Sequence, residues 1–218
     1  MAITTYSELK TAVANWLGRA DLTDRDAECI ALAEARIYQQ AAKRGGIIGM
    51  EKSTTVTITA STETATVPSD FIKAIAFRLD QTHPLDQQSL PQLQLVSDTP
   101  DVPRFFAVAG GTSPKFYFRP IPDGNYTATL VYVAKFPALS VSNTSNWLLE
   151  NAPNAYLYSA CLEACGLLRD YQAAQGAKAL FDEAMDGLIS LTSQYRFSAP
   201  PIKSVDSSLR SYAYERQF

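Results

Sequence analysis

Few residues in this 218-residue chain have the type and spacing to do chemistry. The single histidine, His83, is the natural candidate for a general base or a metal ligand. It stands before Pro84 in a polar connection, with no second histidine to complete a metal set or a nucleophile triad, so a surface loop histidine is the better reading. Cys161 and Cys165 are spaced i, i+4, which puts two thiols on one helix face. A zinc site usually needs four ligands, and neither a CxxC pair nor another histidine supplies the rest. With Cys29 they read as small buried hydrophobes. Gly45-Gly46-x-x-Gly49 lacks the lysine and hydroxyl of a phosphate loop and reads as a helix stop; Gly110-Gly111 reads as a turn. Asp182 and Glu183 are neighbours on a helix, so their carboxylates point apart onto a solvated face. Tyr156, Tyr158 and the run Phe116-Tyr117-Phe118 have faces on which bases stack, but no basic residues are interleaved with them, and core packing is expected instead. No catalytic, cofactor-binding or metal-ligating set emerges.

Composition narrows the function further. The chain is 46% apolar and only 19% charged, against a typical charged share of about 25%. A surface thin in charge resists self-association poorly, which suits an obligate oligomer. The net charge of -3 gives no global footprint for gripping phosphates, so stable nucleic-acid binding is disfavoured. Residues 1–5 have neither the basic start nor the apolar run of a signal peptide, and no stretch approaches the roughly 18 apolar residues that span a bilayer. A soluble protein made in the cytoplasm is expected, with no membrane contact. Three cysteines cannot all pair within one chain, which fits a reducing compartment.

The elements that would position these residues run helix, strands, helix. Thr5-x-x-Glu8 has the form of a capping box, and Tyr6, Leu9, Val13, Trp16 and Leu17 follow at helical spacing as far as Gly18. Thr23-x-x-Asp26 opens a second helix in which Ile30, Ala33, Ile37 and Ala41 share a face, stopped at Lys43-Arg44-Gly45-Gly46. From Ser53 the pattern changes to alternating Val56 and Ile58 among threonines, a half-buried strand, with Thr64 to Val67 as its return partner. Phe71 to Leu79 reads as a strand with its odd positions inward. A short helix is expected within 87–97. Strands follow at 104–109, 115–119 and 126–136, the last two joined by a turn at Pro122-Asp123-Gly124-Asn125. Helix returns from Trp147 to Glu150 and from Pro153, with Tyr156, Leu157, Ala160, Ala164, Leu167 and Leu168 aligned. It continues over 172–195, where Ala177, Leu180, Ala184, Leu188, Leu191 and Tyr195 recur.

The expected fold is α+β: a four-helix body made of 1–50 and 141–197, an inserted β-rich lobe at 51–140, and an extended C-terminal arm at 198–218. Trp16, Leu167, Leu180, Leu188 and Leu191 are expected to meet in the core of the body. In the arm, Pro200-Pro201 extends the chain, and Ile202, Val205, Leu209, Tyr212, Tyr214 and Phe218 are apolar anchors too sparse for a core of their own. They are the candidate partner-binding residues.

Laid end to end, these blocks resemble a known family. The residues that carry the likeness are Thr5-Tyr6-Ser7-Glu8-Leu9 with Trp16-Leu17, and Ala31-Leu32-Ala33-Glu34-Ala35-Arg36-Ile37. They continue through Val67-Pro68-Ser69-Asp70-Phe71, Pro103-Arg104-Phe105-Phe106, Pro120-Ile121-Pro122-Asp123, and Phe136-Pro137-Ala138-Leu139 with Asn146-Trp147-Leu148-Leu149. The helix with Tyr156-Leu157-Tyr158 and Glu163-Ala164 extends the match. In order and spacing, from Ile3 to Phe197, the chain resembles the head-to-tail adaptor (connector) proteins of tailed bacteriophages. The resemblance implies a virion component at the head-tail junction, synthesised in the host cytoplasm. About twelve copies would form a ring that joins the portal protein to the next tail component around the DNA channel. It implies no catalytic residues and no cofactor, DNA passing without specific binding, and portal contact through C-terminal arms.

Other classes predict different features. A different phage tail or DNA-packaging component would share the virion setting. A small hydrolase would need a concave cluster of acids, and a nucleic-acid module a basic face, neither of which the sequence displays.

Overall fold

A computed structural model describes residues 3–19, 25–44, 46–80 and 83–197. Helix α1 (Tyr6–Leu17) starts where the sequence places it: the Thr5 side chain accepts the Glu8 N–H, and the Glu8 carboxylate reaches back to the Thr5 N–H at 2.9 Å. It stops at Gly18, whose φ of 63° is a conformation that costs glycine little. Helix α2 (Asp26–Lys43) buries Ile30, Ala33, Ile37 and Ala41 as its spacing requires. Its proposed start at Thr23 lies outside the described residues. At its end Gly46, at φ 86°, donates its N–H to the Ala41 carbonyl at 2.7 Å.

A 3-10 turn (Ile48–Met50) leads into the strands: β1 (Glu51–Ile58), β2 (Thr64–Thr66), β3 (Phe71–Leu79), β4 (His83–Pro84) and β5 (Asp86–Gln87). Helix α3 (Leu90–Leu93) follows, then β6 (Phe105–Ala109), β7 (Lys115–Arg119) and β8 (Tyr126–Ala134). They form two four-stranded sheets, ordered β1-β8-β3-β4 and β2-β7-β6-β5. All pairs are antiparallel except β5 with β6. Between the sheets, Phe77 meets Phe106 and Phe116 with ring centroids 5.1 Å apart and Phe118 at 5.8 Å. Such aromatic pairs add stabilisation beyond the area they bury. Phe116 and Phe118 are thus packed in the core, as the strand alternation requires.

Three strand expectations need correction. Residues 64–66 pair with β7 in the second sheet, not with β1, which pairs with β8 at the edge of the first sheet. The turn at 122–125 therefore carries the chain from one sheet to the other. In β3 the inward phase slips, because register shifts fall between Phe71 and Lys73 and between Ala74 and Ala76. Each unpaired residue moves the alternation by one position, so Ala74 is buried and Ile75 is 49% exposed. His83 sits on β4, paired with Leu79, rather than in a loop.

The helices resume with α4 (Trp147–Asn151), α5 (Pro153–Leu168) and α6 (Tyr171–Phe197). Six α-helices are present among the described residues, not the four of the expected body; the two extra ones, α3 and α4, are single short turns. Helix α5 packs against α1, α2 and α6, and α4 closes one end with Leu148 and Leu149 fully buried. The expected core of the body is corrected more deeply. Leu188 is buried, but Trp16, Leu167, Leu180 and Leu191 are 38%, 39%, 37% and 53% exposed. The stripe of α6 that enters the core is Ala177, Phe181, Met185, Leu188 and Thr192. Two apolar stripes lie side by side on this helix, and α5 covers only one.

Candidate interaction surface

The stripe of α6 left outside the core lines a hollow. Leu180, Ala184 and Leu191 form one wall of an open groove of about 670 Å³, with Ala152, Asn154 and Tyr158 opposite. At Gly187 the wall has no side chain, and a Cβ there would meet nothing within 4 Å. A second hollow of about 400 Å³ continues toward the end of α6. It shares Asn151, Leu188 and Leu191 with the first and adds Trp147, Thr192 and Tyr195. The floor is apolar. Glu183 is the one charged side chain lining either hollow, and Asn151 and Asn154 supply amides at the edge.

This groove is held open by local contacts that the sequence encodes indirectly. Trp147 stacks on Phe136 with centroids 5.7 Å apart and lies against Gly49, where a Cβ would fall 2.2 Å from the indole. Glycine is needed there for close approach, not for an unusual φ. The Thr192 hydroxyl donates to the Leu188 carbonyl at 2.9 Å and accepts the Ile48 N–H at 3.3 Å, which ties α6 to the turn before β1. Arg44, at the end of α2, forms an ion pair with Asp186 on α6.

Beneath it lies a buried polar network. The Glu34 carboxylate on α2 accepts the Leu139 N–H at 2.8 Å and the Tyr156 hydroxyl at 3.1 Å. Tyr156 in turn accepts from the Asn146 amide at 2.8 Å, and that amide also donates to the Pro137 carbonyl. Asn146 caps α4 by accepting the Leu149 N–H. Burial pushes the Glu34 carboxyl above its ordinary value, against the pull of its two hydrogen bonds. Burial and the neighbouring Glu34 also push the Tyr156 hydroxyl well up, so it stays a donor. The network fastens the segment leaving the sheets to the helices. Sequence reasoning missed it, although Glu34 standing at i+4 from Ile30 on an apolar face was the available signal.

The residues with chemical potential are placed apart. Cys29, Cys161 and Cys165 are free and buried, and burial raises the thiol of each, which keeps them protonated and unreactive. His83 is exposed in the strand layer, and Asp182 pairs with Lys178 at 2.7 Å on a solvated helix face. Among the described residues no group of three or more His, Cys, Asp or Glu gathers in reach of one ion, and no helix is long and apolar enough to cross a membrane. The candidate partner-binding residues Ile202, Val205, Leu209, Tyr212, Tyr214 and Phe218 lie outside the described residues.

A family model described as SU10 adaptor protein matches residues 4–204. No curated protein matches the chain.

Proposed function

Because the chain belongs to the SU10 adaptor protein family, we propose that it is a non-enzymatic structural subunit of a phage virion. In this reading about twelve copies close into a ring that joins the portal protein to the next tail component at the head-tail junction. The helices of 1–50 and 141–197 form the body of each subunit and 51–140 the inserted lobe. Residues 198–218 dock on the portal through Ile202, Val205, Leu209, Tyr212, Tyr214 and Phe218.

The observation that carries the reading is the family match over nearly the whole chain. The open apolar groove on α6 supports it, because permanent interfaces between subunits favour apolar contact over charge. DNA would pass through the ring without being held. Each phosphate neutralised by a lysine or arginine adds to retention, and a chain of net charge -3 adds little.

Electron microscopy of the purified protein, alone and with its portal, tests the proposal. Closed rings of one copy number seated on the portal are expected. A chain that stays monomeric and leaves the portal bare would overturn the ring and the portal contact together.

A further inference from the structure

We infer that the groove along α6 seats a second copy of this chain, and that the part which enters it is the turn joining α5 to α6, with Leu167 and Tyr171 on the apolar floor and Arg169 against Glu183. The pairing of the two surfaces is argued from their own residues; that repeated pairing closes into a ring rests on the adaptor reading above.

Charge points to that occupant first. Three acids stand together on the middle of α6. Asp182 is held by Lys178 at 2.7 Å and Asp186 by Arg44, whereas Glu183, the one that lines the groove, is exposed and has no ion-pair or hydrogen-bond partner among the described residues. Arg169 is in the same state. It is exposed and unpaired among the described residues, while the neighbouring Asp170 carboxylate accepts the Ala173 N–H at the start of α6. The two cannot satisfy each other within one chain. Glu183 lies about 18 Å along the helix from Tyr171, and Arg169 stands before that helix begins, which is further than an arginine side chain spans.

Shape agrees with charge. Tyr171 is 72% exposed and Leu167 39%, two large apolar side chains flanking one tight turn. Outside the groove the other exposed large apolar side chains, Trp16, Leu32, Ile75, Leu95 and Val141, each stand on a separate element or loop, as scattered surface hydrophobics do. Arg169 occupies the left-handed region at φ 59°, where a helix end most often has glycine, so the tip of this knob has a guanidinium in a position that glycine would fill with less strain. Tyrosine and arginine are the residues that anchor interface cores. The groove is the converse shape: about 670 Å³, open, apolar along Leu180, Ala184 and Leu191, and notched at Gly187 where the wall has no side chain.

Knob and groove are different parts of one helix pair. A copy that gives its knob to one neighbour keeps its own groove for another, so the contact is heterologous, the kind that closes into a ring when the rotation between copies closes. A two-fold dimer would bury one patch against itself and leave Arg169 and Glu183 without opposite charges.

Two single variants, Tyr171→Cys and Leu180→Cys, test the pairing, since Cys29, Cys161 and Cys165 are buried and do not compete. Mixed in equal amounts and mildly oxidised, they should give cross-linked dimers containing one of each, and either alone should stay uncrosslinked. Cross-linking of one variant with itself as fast as with the other, or none in the mixture at any concentration, would overturn the proposal. Charge provides a second measurement. Arg169→Glu added to the Tyr171→Cys chain should slow the cross-linking on the order of tenfold, and Glu183→Arg added to the Leu180→Cys chain should restore it. Both positions are exposed, so thermal unfolding of each chain should match that of its parent. A rate indifferent to both reversals would overturn the proposal. Copies that cross-link in this pattern yet never seat on a portal would sink the adaptor reading and leave the pairing standing. Rings on a portal whose subunits show no such cross-link would do the reverse.

Discussion

Trp147 lies so close to Gly49 that a Cβ on the glycine would sit 2.2 Å from the indole ring. The ring also stacks on Phe136 at an interplanar angle of 11°, so moving away from a Cβ would disturb that contact. Gly49→Ala is therefore expected to destabilise the chain by about 1–3 kcal/mol, the usual range for overpacking. Thermal unfolding, together with the emission of Trp147, checks this. An unchanged midpoint would mean that the indole is not confined.

The two stripes of α6 should respond differently to truncation. Met185 is 1% exposed and faces the core, so Met185→Ala should cost about 2–5 kcal/mol, and Leu188→Ala, at 6%, a similar amount. Leu191→Ala, at 53%, should stay within about 0.5 kcal/mol in the monomer. Denaturant unfolding of the three variants measures the contrast. Equal losses at Met185 and Leu191 would put the covered face of the helix elsewhere.

Glu34 should make stability depend on pH in an unusual direction for a carboxylate. Burial raises its pKa in the folded chain above the ordinary 4.5, so folding favours the protonated form. Its contribution is complete below about 4.5 and is lost as pH rises through the folded value. Glu34→Gln keeps an acceptor for Leu139 and Tyr156 without the charge. The variant should gain on the wild type as pH rises across that window, read from urea midpoints between about pH 4 and 7. A difference that does not vary with pH would show that Glu34 ionises as freely when folded as when unfolded.

Duplex DNA should not bind the free protein at physiological salt, because the net charge is -3 and several basic residues, Arg36, Lys52 and Arg119 among them, are paired with acids. Fluorescence anisotropy with a labelled duplex measures this. Micromolar binding that weakens steeply with added salt would favour a packaging or condensation factor over a channel subunit.

Much of the local structure was legible in consecutive residues. The capping box at Thr5 and Glu8, the buried face of α2 and the alternation of β8 each depend on neighbours a few positions apart, and each formed as its spacing requires. The burial of the three cysteines followed in the same way from residue type. What consecutive residues do not carry is the choice among partners. Thr64–Thr66 has the same strand character whether it pairs with β1 or β7, and the local residue pattern does not specify which sheet edge such a strand joins; here it joins β7, while β1 pairs with β8 at the edge of the other sheet. The slip in β3 was hidden because one inserted residue reverses the inward phase while leaving composition unchanged. On α6 two apolar stripes stand about one residue apart, and periodicity ranks them equally. Only the position of α5 decided that Phe181 and Met185 would be covered and that Leu180 and Leu191 would face an open groove, because burial depends on what packs against a helix and not on the helix alone.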